Sequence, residues 1–291
     1  MPIPDRLTFD SPDPRWQVRI TDDGTPTLVD VASGQAMHSG CGAGAETRHV
    51  YLEGSGVAGR LDRGEPTAVL ELGLGTGLGW LMTADRAAAS RTPLRYLAIE
   101  TELVPAAVIE ALDWGRWLAD PELADAYCRW LRAVEGEMSV RGNDPDRSSS
   151  TAAKPTGPEK VSGPETVSGP ETVCPMLTFC YRESTLRVLT VDAARWLAGL
   201  GTAAEEGLFD AIYFDPYSPE AAPRLWRAEV FGQIRRVLAP HGQLVTYCVS
   251  RAVREAMGEG GLAVRRVPGP PGGKREVLVA GHAAAMALGQ S

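Results

Sequence analysis

The chain has 291 residues, of which 44% are hydrophobic and 23% charged. That is an ordinary globular composition, with length enough to bury a core without disulfide or metal staples. No apolar run approaches the ~20 residues of a membrane span. The first residues, Met1 to Arg6, lack the basic-then-apolar order of a secretion signal. Five scattered cysteines with no Cys-x-x-Cys pair read as reduced thiols in a cytoplasmic protein, without a metal site. Net charge is −8, but residues 223–291 hold ten Lys/Arg against four Asp/Glu, so a basic C-terminal part sits on an acidic body. That asymmetry is compatible with a local phosphate-facing surface.

In chain order, Trp16 to Ile20 and Thr27 to Val31 read as short strands around the turn Asp22-Asp23-Gly24. Thr67 to Leu72 is an apolar run ending in glycines, as in a buried parallel strand, and a helix over 77–89 follows. Leu94 to Ile99 is a second strand closed by Glu100, and residues 103–119 and 121–135 have helical period. Gly-Pro then recurs every six residues at Gly157, Gly163 and Gly169. This blocks helix and central strand alike and predicts a low-complexity surface insertion over 141–174. Met176 to Tyr181 and Leu186 to Val191 are predicted strands, Ala193 to Leu200 a helix, and Phe209 to Phe214 a buried strand ending at Asp215. A helix over 224–238, a strand over 243–249, a helix over 251–258 and two last strands, 262–267 and 276–280, complete the chain. Strands alternating with helices predict an α/β, Rossmann-like fold with a mostly parallel central sheet. The expected division is an N-terminal β extension (1–60), a main domain (61–140 and 175–282), the insertion (141–174) and a tail (283–291).

Ligands of such sheets bind beyond the carboxyl ends of the strands, which gathers the glycine cluster, Glu100, Asp192 and Asp215 into one neighbourhood. In Glu71-Leu72-Gly73-Leu74-Gly75-Thr76-Gly77-Leu78-Gly79, side-chain-free positions let the backbone approach a ligand at a helix start. The spacing misses the dinucleotide fingerprint Gly-x-Gly-x-x-Gly, and no Gly-Lys-Ser/Thr follows as in a P-loop. The pattern Glu-x-Gly-x-Gly-Thr-Gly resembles the first-strand motif of S-adenosylmethionine-dependent methyltransferases of class I. The resemblance implies S-adenosylmethionine as cofactor, bound by Glu71, Gly73, Gly75, Thr76 and Gly77. Glu100, at the end of the second strand, has the two oxygens needed to accept both hydroxyls of a ribose. Asp192 is placed either to cap the next helix or, as the resemblance implies, to contact the adenine. Asp215-Pro216-Tyr217-Ser218-Pro219 is an acidic, proline-stiffened turn suited to holding an amine: carboxylate and carbonyls accept its N–H bonds, and Tyr217 can flank a base.

Further segments resemble one family, the methyltransferase part of MnmC-type tRNA wobble-uridine enzymes. Glu46-Thr47-Arg48-His49-Val50-Tyr51-Leu52-Glu53-Gly54 is similar to its Glu-Thr-Arg-Tyr-Val-Phe-Leu-Glu-Gly. Asp215 to Pro219, continuing to Pro223 and Trp226, keeps the spacing of its Asp-Gly-Phe-Ala-Pro-x-x-x-Pro-x-x-Trp, and Lys274-Arg275-Glu276 matches a Lys-Arg-Glu/Asp before the last strand. Pro216 stands where that pattern has glycine, and Ala221-Ala222 replace a Lys-Asn pair. The resemblance implies methylation of the aminomethyl group of wobble uridine, with Asp215, Pro216 and Tyr217 catalytic and Arg48, Lys274 and Arg275 on tRNA. It also implies a stand-alone methyltransferase to which a separate upstream enzyme supplies the amine. Asp-Pro-Tyr is similar too to the loop of amino-group DNA methyltransferases, so an exocyclic amine of nucleic acid or a small-molecule amine remains an alternative acceptor. A cofactor-binding module without an acceptor site is a third reading. His38, His49, His241 and His282 share no ligand spacing and receive no chemistry.

Overall fold

The structure, a computed structural model, describes residues 6–142, 165–167, 174–199 and 208–288. Strands β1 (Thr8–Asp10), β2 (Trp16–Ile20) and β3 (Pro26–Asp30) form a small antiparallel sheet. Next come α1 (Ala43–Glu46), a π-helical segment Thr47–Glu53 and α2 (Val57–Asp62). The main domain follows as β4 (Thr67–Leu72), α3 (Leu78–Ser90), β5 (Leu94–Glu100), α4 (Ala106–Glu110), a 3-10 turn Trp114–Trp117 and α5 (Pro121–Gly142). After these lie β6 (Glu165–Val167), β7 (Cys174–Tyr181), β8 (Ser184–Thr190), α6 (Ala193–Ala198), β9 (Phe209–Phe214), α7 (Ala228–Val237) and β10 (Leu238–Thr246). The chain closes with α8 (Arg251–Glu259), β11 (Ala263–Pro268), β12 (Glu276–Gly281) and α9 (Ala283–Leu288).

Among the described residues the large sheet has nine strands in the order β11-β12-β10-β9-β4-β5-β8-β7-β6. The five middle strands, β10-β9-β4-β5-β8, are parallel, and antiparallel pairs flank them on both sides. The chain leaves the centre through β5 and β8 and returns on the other side of β4 through β9. This reversal makes β4 and β9 the switch point, beyond whose ends the α/β rule puts the ligand.

Alternation along each strand divides the core in two. Val69, Tyr96, Ala98, Val188 and Tyr213 face α3, α5 and the N-terminal segments. Leu70, Leu97, Ile99, Ile212 and Phe214 face α6, α7 and α8, where Phe231, Ile234 and Met257 are fully buried. By the same alternation Glu71 faces the α3 side, directly under the glycine cluster.

Several expectations change. Residues 103–119 do not form one helix. Pro105 precedes α4, and Asp113 breaks it in the left-handed conformation (φ 51°), which short polar side chains tolerate. Arg227 is extended, so α7 starts at Ala228 rather than Arg224, and Leu238 passes straight into β10 with a register shift before Gln243. Residues 43–53 and 57–60, expected within a turn-rich β extension, are helical, and their Val50 and Val57 join the main core together with Leu61. In the Gly-Pro insertion, Glu165–Val167 adds an outermost strand to β7. Gly157 and the other repeat residues outside 165–167 and 174 lie outside the described residues, as does Leu200.

Phe231 packs against Phe214 with ring centroids 5.2 Å apart and is not among the residues lining the cavity described below. Phe231→Ala is expected to cost about 3–5 kcal/mol through transfer and cavity terms, read as a lower midpoint in urea unfolding.

Candidate active site

At the end of β4 the chain turns through Gly73 (φ 93°), Gly75 (φ 52°) and Gly77 (φ 78°) before α3 begins. All three conformations are strained for a side-chain-bearing residue, and two have no room for one. A Cβ on Gly73 would come 2.7 Å from the Asp215 carbonyl oxygen, and one on Gly77 would come 2.7 Å from the Tyr127 hydroxyl. A Cβ on Gly79 would run into the Glu71 carboxylate. The loop is held from β5 as well: Gly75 N–H donates to Glu100 Oε2 (3.1 Å), while Glu100 Oε1 accepts from Thr101 N–H (2.7 Å). On the other side Asp215 N–H donates to Leu72 O (3.1 Å), so the glycine loop and the acidic turn after β9 are in contact.

A cavity of about 530 Å³ opens above these loops. Glu71, Gly73, Gly75, Thr76, Glu100, Asp192, Asp215, Pro216, Tyr217 and Lys274 line it together. Gly77 sits at the start of α3, behind that lining, and Arg48 and Arg275 are exposed outside it. Asp192 caps α6, its Oδ1 accepting from Arg195 N–H at 2.8 Å, while its residue still borders the cavity.

The acidic turn is firmly built. Pro216 is buried and its carbonyl accepts from the Tyr247 hydroxyl (3.1 Å); the Tyr217 carbonyl accepts from Trp226 Nε1 (3.0 Å). Tyr217 is 48% exposed at the mouth, where it can flank an incoming group. Half-buried Asp215 accepts from Tyr51 Oη at 2.5 Å. Burial raises its carboxyl well above the usual carboxylate range; the Tyr51 hydrogen bond and Lys274 act downward and Glu46 acts upward. Burial likewise raises Glu71 well above its ordinary value.

Five further residues line the cavity without a site role assigned from the sequence. Glu46 ends α1 and Tyr51 lies in the π-helical segment that follows it, and Glu46 Oε2 accepts from Ser39 N–H (2.7 Å). Tyr247 lies beyond β10 with Lys274 Nζ 4.1 Å from its ring centroid. Met37 and His38, from the loop after β3, wall the cavity, with Met37 Sδ set 3.6 Å from where a Gly75 Cβ would be. Burial lowers the His38 imidazole to about 4, and its Nδ1 lies 2.8 Å from Thr27 Oγ1. The Glu46–Gly54 motif was the available signal for the first pair; nothing in the local sequence marks Tyr247 or Met37.

The residues present fit S-adenosylmethionine. Glu71 Oε2 and Thr76 Oγ1 are buried with no hydrogen-bond partner among the described residues, and an adjacent cofactor can satisfy them. The glycine loop leaves backbone space, Glu100 offers paired oxygens, and carboxylates outnumber cations around a cavity meant for a positively charged sulfonium. Among the described residues no group of three or more His, Cys, Asp or Glu is arranged to hold a metal ion.

A glycine-looped first strand, a carboxylate closing the second and an acidic turn at the switch point give the chain the Rossmann-like architecture of class I S-adenosylmethionine-dependent methyltransferases. Residues 165–283 match the family model described as S-adenosyl-L-methionine-dependent methyltransferase. The chain's relatives are MnmC proteins. It is 28% identical over 281 residues to the "tRNA 5-methylaminomethyl-2-thiouridine biosynthesis bifunctional protein MnmC" of Burkholderia multivorans, covering 97% of this chain and 36% of that protein. The figures for the protein of the same name in Aromatoleum aromaticum are 28% over 283 residues, 97% and 36%. The chain thus spans about a third of the length of these relatives. The crystal structure of MNMC2 from Aquifex aeolicus shares the fold, with TM-score 0.59 and 18% identity over 96% of this chain and 71% of that one.

Gly73→Ala is expected to push the two loops apart, because its Cβ meets backbone rather than a movable side chain. Cofactor affinity measured by calorimetry should fall by about tenfold or more, with unfolding still cooperative.

Proposed function

We propose that the chain transfers a methyl group to the aminomethyl nitrogen of wobble uridine in tRNA. The observation that carries this reading is Asp215, held by a rigid turn against the glycine loop inside the cavity. The names of the relatives supply the substrate class. S-adenosylmethionine, when bound by Glu71, Gly73, Gly75, Thr76, Glu100 and Asp192, supplies the methyl group.

The chain's own residues then have a defined task. An alkylamine is mostly protonated at neutral pH, and only its neutral form has a lone pair to react. A carboxyl whose pKa burial has raised suits the removal of that proton better than an ordinary aspartate, because it is the stronger base. Asp215 accepts the amine proton, directly or through water, and the Pro216–Tyr217 turn fixes the approach direction. Positioning of this kind contributes several kcal/mol of the barrier. Tyr217, exposed at the rim, stacks on the base that carries the amine.

Arg48, Lys274 and Arg275 form the tRNA-facing set in this reading. His49 Nε2 lies 2.9 Å from the Pro268 carbonyl, which brings the segment carrying Arg48 against the β11–β12 connection carrying Lys274 and Arg275. Such a collar beside the cavity mouth can hold phosphates while the base enters. The enzyme acts in the cytoplasm on an amine that a separate enzyme has unmasked. The acidic cavity wall favours one competing acceptor, a small polycationic amine.

Labelled methyl transfer to bulk tRNA from cells lacking this protein, run beside a polyamine panel, is expected to label tRNA; label in polyamines alone would overturn the tRNA reading. Asp215→Ala should abolish transfer while cofactor affinity stays within about threefold. Arg48→Ala and Arg275→Ala should each weaken tRNA binding and lower the slope of log affinity against log salt by about one, measured by filter binding.

A further inference from the structure

Tyr51 is 3% exposed and lies 164 residues from Asp215 in sequence, yet its hydroxyl donates to Asp215 Oδ1 at 2.5 Å. Its ring packs on Tyr213, centroids 5.4 Å apart, on the face of β9 beside β4. Other titratable groups face the same carboxylate from every side: Glu46 from α1, Lys274 from the β11–β12 connection, Tyr247 from beyond β10, and Glu71 and Tyr96 from β4 and β5. Most have commitments elsewhere. Tyr247 Oη donates to Pro216 O, Lys274 Nζ donates to Tyr247 O, and Glu46 accepts from Ser39. Among the described residues, Tyr51 is the side chain hydrogen-bonded to the Asp215 carboxylate. The pattern that residues 46–54 resemble has phenylalanine at this position, so the hydroxyl is an addition that the ring's packing does not require.

We propose that Tyr51 is a positioning residue for the acceptor amine: its hydroxyl orients Asp215, leaves Oδ2 for the amine, and favours the ionised carboxylate. The inference rests on the reading of Asp215 as the amine-binding residue. In the proton step the ammonium N–H bond breaks, an O–H bond forms on Asp215 Oδ2, and the electron pair stays on nitrogen. Tyr51 keeps its own proton throughout. Burial and the neighbouring carboxylate push its phenol well above the ordinary range, so it acts as a donor and not as a relay.

The sign of the effect follows. Asp215 must be ionised to work, so turnover falls as pH drops through its titration. A donor to the carboxylate lowers that titration point, and its removal raises it. Tyr51→Phe should therefore move the acidic limb of kcat/KM to higher pH. Turnover below the wild-type midpoint should fall about tenfold, and the loss should be recovered as pH rises. A merely structural role would instead lower turnover equally at all pH, with the midpoint unmoved, and that result would overturn the proposal.

A second measurement needs no acceptor. Carbon-13 NMR titration of the Asp215 carboxyl should show the same upward movement in Tyr51→Phe, and an unmoved titration would also overturn the proposal. Asp215→Ala separates the two levels. If that variant still methylates tRNA, the reading of Asp215 has failed and the proposal falls with it. If it is inactive while Tyr51→Phe moves neither titration nor pH limb, only the role of Tyr51 has failed.

Discussion

The site depends on one close approach. The chain after β4 and the chain after β9 leave adjacent parallel strands at the sheet's switch point, and there Gly73 and the Asp215 backbone come so near that no side chain fits between them. The floor of the cavity takes its place from that contact. The glycine loop faces one side of it, and the Asp215 carboxylate and proline turn face the other. The glycine loop and the acidic turn are thereby held against each other by backbone geometry alone. Such placement persists through loop fluctuations better than one made by long side chains.

The carboxylates around this contact are differentiated by their surroundings. Glu100 is spent largely on backbone N–H groups, Asp192 on a helix start, and Glu71 on an apolar face under the loop. Asp215 alone combines partial burial, a phenol donor and a nearby lysine. Groups of one chemical type thus differ in burial and hydrogen-bond partners according to their place in the fold.

Much of the fold was legible because parallel strands buried on both faces carry dense apolar runs: Thr67–Leu72, Leu94–Glu100 and Phe209–Phe214 lie almost where those runs predict. The glycine loop and the acidic turn were legible because their chemistry is local. What escaped was set by distance or by competing local signals. Tyr51 reaches Asp215 across 164 positions, and no window in the sequence contains both. Residues 103–119 have helical period, yet Asp113 in a left-handed turn overrides it. The segments 43–53 and 57–60 read as turn-rich because of their glycines, but Val50 and Val57, together with Leu61, bury them as helix. A three-residue edge strand in the repeat is too short for any periodicity to announce.

The loop carrying Met37 and His38 gives the cavity a wall that belongs to a different sheet. Its imidazole is held uncharged by burial, while in an unfolded chain the same ring takes a proton near its ordinary value of 6.5. As pH falls from that value toward about 4, the unfolded form gains protons that the packed loop refuses, and the packed loop is progressively disfavoured. The wall of the cavity is therefore coupled to acidity through a ring that lies outside the acidic turn, so that acid weakens the packing that shapes the entrance.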